Sequence, residues 1–259
     1  MSDLFSFGRA TDNPEVSYGS TGDMKKTQYV LQLLGFPGHA DTIKCLITAV
    51  EMGLETDTAV LDVLEDQSTN SEFLEFSPFE ILPVLKEADY TVAGATAIMS
   101  YIEARGLGTR LPPNNVALLA KQNYWSDIAC TEVSQYVETI VQEQILSDMS
   151  NSASNPEDLA QAYKALSAPF TALDQELANN KYIIGNYSFA DIHWSAYIHL
   201  LYEAGEGNFI DKHTNIKRWF DQIRSRKSFS GQNIVAYDLL PKLIDIQSKQ
   251  LNSVVIDDY

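Results

Sequence analysis

Proline 83 stands inside the apolar run Ile81-Leu82-Pro83-Val84-Leu85, where the pattern otherwise predicts a strand over Leu82–Lys86. A proline has no N–H for a central ladder, so this position demands an edge, a bulge, or a cis peptide at a sharp turn. Shortly after it, the strand pattern Tyr90–Ala93 meets Gly94-Ala95, and a helix pattern runs from Ala95 to Arg105. A strand-to-helix junction presents backbone N–H groups without helical partners, a ready anion site. The two segments together predict a ligand cradle built from backbone, with almost no side chain able to hold a ligand by charge.

The remaining pattern falls into two unlike halves. Strand signals at Tyr29–Leu34 and Thr58–Val63 flank a helical spacing over Asp41–Gly53, carried by Ile43, Leu46, Ile47 and Val50. A short helix or turn is expected over Ser71–Phe76. The order β-α-β-α-β-β-α fills residues 28–106 and predicts one small α/β domain. Residues 1–27 are polar and turn-rich and read as an N-terminal extension. Residues 107–115, with Pro112-Pro113-Asn114-Asn115, have linker composition.

Residues 116–259 are helical almost throughout. One long helix is expected over Val116–Met149 and a polar loop over Ser150–Ser154. Another helix opens at Asn155-Pro156, a cap followed by proline at the first helical position. After a break at Gly185-Asn186-Tyr187 come a further long helix, one over Asn215–Arg226, and a last one over Ile234–Leu251. Ser188-Phe189-Ala190-Asp191 has the spacing of a capping box, with Tyr187 and Ile192 as its hydrophobic staple.

The net charge of −17 argues against phosphate-backbone binding and against anionic membrane surfaces, so neither nucleic acid nor membrane is an expected partner. No apolar run approaches the ~20 residues of a bilayer span, and the N-terminus has no secretory-signal pattern. Cys45 and Cys130 lie far apart in apolar helical context and read as buried free thiols, which points to a reducing, cytoplasmic compartment. His39, His193, His199 and His213 lack metal-ligand spacing, so no metal is expected. Glu51, Glu55 and Asp57 read as a solvated face.

Three ordered features resemble the cytosolic glutathione transferases: Ser77-Pro78-Phe79-Glu80-Ile81-Leu82-Pro83-Val84-Leu85 is similar to the family's cis-proline loop, Ser188 and Asp191 to its buried capping box, and the segment from His213 through Trp219 to Arg224 to a late helix. The resemblance covers about residues 28–230. It implies a thioredoxin-like α/β domain followed by an all-α domain, glutathione as the small-molecule ligand, and a homodimer. It also implies that Pro83, Ser188 and Asp191 define the fold, and that Tyr124 on the first long helix borders the cleft for a second, apolar substrate.

The site positions depart from the family. After its first strand the family carries a Tyr, Ser or Cys that holds the glutathione thiolate. The corresponding stretch here is Gly35-Phe36-Pro37-Gly38-His39-Ala40, in which none of the three positions has the usual residue. His39 is the candidate catalytic group, able to donate a hydrogen bond to a thiolate or accept its proton; otherwise it caps the helix start at the surface. Where the family binds the γ-glutamyl end with an acidic residue and a serine, this chain has Gly94 and Ala95. The expected ligand contacts are therefore Phe36, His39, Leu82, Pro83, Gly94, Ala95 and Tyr124, the Leu82 backbone being able to pair with a peptide-like ligand. Three functions stay open: a ligand-binding relative with weak or absent conjugation, an active transferase assisted by His39, and a non-catalytic interaction module.

Overall fold

A computed structural model describes residues 30–35, 38–60, 74, 76–146 and 154–229. The expected extension 1–27, the segment after residue 229 with its expected last helix, Phe36, and most of the expected turn over Ser71–Phe76 and loop over Ser150–Ser154 lie outside these residues.

The first half is a mixed sheet with helices. Strand β1 (Leu31–Gly35) leads to helix α1 (Ala40–Glu51), then β2 (Thr56–Val60), β3 (Val84–Glu87), β4 (Tyr90–Ala93) and α2 (Ala95–Arg105). The sheet order is β2-β1-β3-β4, with β1 parallel to β2 and antiparallel to β3, and β3 antiparallel to β4. Leu33 pairs with Leu85 and Leu34 with Val84 at the sheet centre, all fully buried. Strand β3 starts at Val84, two residues later than its pattern predicts, because Pro83 stays out of the ladder.

The second half is helical. Asn115 caps α3 (Val116–Ile128), its Oδ1 accepting from the amides of Ala117 and Leu118. The single long helix expected here is interrupted: α3 widens into a π-helical turn at Ala129–Val133, continues as α4 (Ser134–Val141), and widens again at Gln142–Leu146. Helix α5 (Pro156–Leu177) starts at the expected Asn155-Pro156 cap, with Asn155 Oδ1 accepting from the Glu157 amide. Helix α6 (Phe189–Glu203) runs through the centre of this half, followed by the short α7 (Gly207–Asp211), which the sequence pattern misses, and α8 (Thr214–Arg224). Asp174 of α5 accepts from the amides of Asn215 and Ile216 and so caps α8 from a neighbouring helix.

Trp194, Trp219, Phe170 and Phe220 fill the helical core, each worth about 1.5–3 kcal/mol on burial. The capping box at Ser188 and Asp191 is present. Asp191 is buried, and its carboxylate does more than cap. Oδ2 accepts from the Ser188 amide (3.0 Å) and hydroxyl (3.1 Å), while Oδ1 accepts from the Ile183 amide (3.0 Å) and Trp219 Nε1 (2.8 Å). One side chain thus ties the turn before α6 to α8. Burial pushes the Asp191 pKa up to about 6, with these four donors working against it.

Asp191→Asn keeps the shape but turns an N–H₂ toward donors, so urea unfolding is expected to show a loss of about 3 kcal/mol or more, against about 1 kcal/mol for Ser188→Ala. A second expectation concerns pH. Burial lowers the pKa of His193 to about 3 and of His199 to about 4, with Lys44 and Arg224 respectively adding to the shift. As pH falls below 6.5 the unfolded chain binds protons that both native rings refuse, so stability drops by about 1.4 kcal/mol per ring per pH unit. Asp191 acts oppositely between its ordinary value of 3.8 and about 6, because there the native carboxyl holds a proton that the unfolded one has lost. Two rings outweigh one carboxyl. Urea midpoints measured from neutral pH downward should therefore fall, and His199→Gln should flatten the slope.

Candidate functional site

The cradle forms where two loops meet. Ser77 is buried and closes the first loop on itself: its Oγ accepts from the Ile81 amide at 2.8 Å and donates to the Ile81 carbonyl at 2.9 Å. The Leu82–Pro83 bond is cis, which decides among the three alternatives that the sequence leaves open. The Pro83 carbonyl then accepts from the Gly94 amide at 2.9 Å, bringing the proline loop against the start of α2. Leu82 is half-buried and lies outside the ladder.

Gly94 caps α2 with φ 91° and ψ 136°, a backbone conformation reserved in practice for glycine. It offers no side-chain cap, and the first turn carries no acidic residue. Ala95 behind it is buried, and the Cys45 Sγ lies 3.9 Å from its carbonyl. What the junction offers a ligand is therefore backbone and helix dipole, a setting able to receive a carboxylate.

His39 is the N-cap residue of α1. Its side chain makes no cap bond to the helix amides; Nδ1 lies 3.4 Å from Thr42 Oγ1. Burial lowers its pKa, with Lys44 adding to the effect against Asp41, so the ring is neutral at neutral pH. The end of β1 is pressed close: a Cβ at Gly35 would come 2.5 Å from Thr42 Oγ1 and 2.9 Å from Thr42 Cγ2. Phe36, the remaining expected contact on this loop, lies outside the described residues.

Beneath α1 is a polar group that sequence reasoning missed. The Lys44 side chain has 0% exposure. Its ammonium donates to Asp41 Oδ1 at 2.6 Å and to Tyr197 Oη at 2.8 Å, and lies 4.2 Å from the centre of the Tyr197 ring. Burial opposes the charge, yet Tyr197 and Asp41 hold the Lys44 pKa above the ordinary lysine value. The same ammonium is 4.0 Å from Cys130 Sγ, which in turn is 3.4 Å from His193 Nδ1. The available signal was a lone lysine amid Ile43, Cys45, Leu46 and Ile47, with an aspartate three residues before it.

Two expectations are corrected here. Cys130 is exposed rather than buried, whereas Cys45 is buried as expected. Cys130 lies within the π-helical turn, where the wider backbone breaks the 3.6-residue spacing on which the reading relied. Glu51 does not belong to a solvated face. Arg226 grips both of its oxygens at 2.7 Å, and the Arg226 guanidinium lies 3.7 Å from the centre of the Tyr187 ring. Tyr124 is 60% exposed with its ring edge-on to Trp125. Thus the structure joins Leu82, Pro83, Gly94 and Ala95 in one cradle, sets His39 at the head of α1, and leaves Tyr124 at the surface of α3. Among the described residues no group of three His, Cys, Asp or Glu is placed to hold a metal ion.

Comparison with known proteins accounts for both halves. Residues 29–104 match the glutathione S-transferase N-terminal domain and residues 125–227 the C-terminal domain. The chain is 23% identical over 197 residues to glutathione S-transferase F10 of Arabidopsis thaliana, covering 74% of this chain and 92% of that protein. In structure it resembles glutathione transferase F7 from Populus trichocarpa, with a TM-score of 0.72 at 24% identity over 79% of this chain and 99% of that one. It also resembles a glutathione S-transferase-I bound with lactoylglutathione, with a TM-score of 0.74 at 17% identity, covering 80% and 99% of the two chains. With both domains matched in order and the fold shared, the chain belongs to the cytosolic glutathione S-transferase superfamily.

Proposed function

We propose that this protein binds a small apolar or thiol-containing ligand in the glutathione region of the fold, with standard glutathione conjugation weak or absent. The observation that carries this reading is Gly94. At φ 91° it occupies a conformation hostile to an acidic side chain, and Ala95 beside it has no hydroxyl. A ligand there meets backbone amides and the Leu82 main chain, and lacks charge-assisted bonds worth ~1.5–3 kcal/mol each. A second reading, an active transferase, is favoured by His39, whose neutral ring at the head of α1 can share a proton with a thiol. If His39→Ala leaves kcat/KM for glutathione unchanged, that role is excluded.

The active form is proposed to be a cytoplasmic homodimer. Phe79 at 84% exposure and Ile81 at 46% project from the proline loop as an apolar patch suited to a second copy of the chain. A reducing compartment suits the two unpaired thiols.

Calorimetric titration with glutathione should show weak binding. Ala95→Ser is expected to tighten it about threefold to tenfold, the worth of one added hydrogen bond. Gly94→Glu should instead lower stability by about 1–3 kcal/mol through backbone strain. Micromolar affinity in the unaltered protein, together with robust turnover of a model electrophile, overturns the reading. For the assembly, Phe79→Asp is expected to shift the mass measured by light scattering from dimer toward monomer.

A further inference from the structure

His39 is bonded to a short stretch of α1 that two other side chains close off. Its Nδ1 lies 3.4 Å from Thr42 Oγ1, and its carbonyl accepts from the Ile43 amide at 3.1 Å. Thr42 and Ile43 are the two residues between Asp41 and Lys44, whose side chains meet at 2.6 Å. On an open helix surface a pair of this kind is loosely held. Here the Lys44 side chain has 0% exposure, and its ammonium also donates to Tyr197 Oη on α6 at 2.8 Å. The Tyr197 ring centre is 4.2 Å from the same nitrogen. The turn that carries His39 is thus closed by a lysine whose own place is fixed from the helical half.

We propose that Lys44 is a positioning residue for His39, and that the Tyr197 hydroxyl sets how firmly it acts. The positioning holds whether or not the protein turns over; its weight for catalysis rests on the reading of His39 as a group that shares a proton with a thiol. With the hydroxyl in place, the ammonium is held between a phenol on α6 and a carboxylate on α1. Asp41 is drawn toward it, and the turn holding Thr42 and Ile43 is fixed. Without the hydroxyl, the buried ammonium loses one of the two oxygens that accept from it among the described residues. A charge left short of partners is pulled toward water. Asp41, with its side chain 35% exposed, is the route outward, and the turn moves with it. The contact between the two halves is in this way transmitted to the head of α1 through a continuous chain of bonded groups.

The protonation of His39 reports this contact. Burial lowers the pKa of the ring, Asp41 raises it, and Lys44 lowers it further. The other titratable groups around the ammonium are Tyr197 and His193 on α6, Cys130 on the π-helical turn and Glu138 on α4. Burial pushes Tyr197 up to about 12, raises the Cys130 thiol and lowers His193 to about 3, so near neutral pH these three are uncharged. The Glu138 carboxyl is raised by burial and by Asp41. Loss of the Lys44 charge and opening of the turn to water act on His39 in the same direction. Both let the ring take a proton at higher pH.

The test follows the His39 ring by NMR through a pH series of the full-length protein, its signal identified by its loss in His39→Gln. Tyr197→Phe, which keeps the ring, is expected to raise the His39 midpoint toward the ordinary value of 6.5. It should also speed hydrogen exchange of the Ile43 amide about tenfold, as loss of one hydrogen bond to a charged group does. Lys44→Met raises the midpoint further, and the double variant matches Lys44→Met, because the hydroxyl then has no ammonium to hold. The control is Tyr182→Phe, which removes a hydroxyl 3.1 Å from Arg226, the partner of Glu51 at the far end of α1, and should leave His39 where it is. Should Lys44→Met fail to fold, the two phenylalanine variants decide alone. An unmoved midpoint in Tyr197→Phe overturns the proposal. So do equal shifts in Tyr197→Phe and Tyr182→Phe, which mean general loosening, or shifts of Lys44→Met and Tyr197→Phe that simply add. Turnover of a model electrophile separates this proposal from the catalytic reading. A moved midpoint with unchanged kcat/KM for glutathione defeats only the proton-sharing role of His39; a changed kcat/KM with an unmoved midpoint defeats only the positioning.

Discussion

A lysine ammonium with no access to water must be neutralised where it lies, and much of the molecule is arranged around that requirement. Removing a charge of this size from solvent costs several kcal/mol even after relaxation. Lys44 offsets this with a carboxylate on its own helix, a phenol hydroxyl on α6, and the face of the same phenol ring. The carboxylate comes from the first half and the phenol from the second. The two halves are thus held in register by electrostatics that work only when both are in place. Arg226 and Glu51 repeat the arrangement at the far end of α1, with a bidentate pair laid over the Tyr187 ring. Helix α1 is pinned at both ends, and His39, two residues before Asp41, inherits its position from this anchoring.

The cradle is built largely from main chain. The cis peptide before Pro83, the Pro83 carbonyl to Gly94 amide bond, and the sheet that carries them are main-chain features that survive wide variation in side chains. At the junction itself the chain presents Gly94, with no side-chain cap, and a buried Ala95. A fold can be carried by main-chain features of this kind, while activity depends on particular side chains at particular positions.

Features signalled by local rules were legible in the sequence. The Pro83 segment, the Asn155-Pro156 helix start and the Ser188–Asp191 box each depend on a few adjacent residues, and the structure contains them all. Features that depend on a distant partner were not. Nothing near Glu51 announces Arg226, and nothing near Lys44 announces Tyr197. Cys130 was misjudged because a π-helical turn shifts the facing of every residue after it, and no residue in Ala129–Val133 advertises such a turn. The short helix α7 was passed over because five residues give too little periodicity to register.

The tight contact between Gly35 and Thr42 couples two positions that lie apart in the sequence. A side chain at position 35 collides with Thr42, and Thr42 sits buried in the first turn of α1. No residue larger than glycine can therefore enter position 35 by a single substitution that leaves the packing intact. The threonine has to move or shrink with it, at a cost to the packing of α1. The end of the strand and the start of the helix are thus one unit of change, and a substitution at either is read by the other.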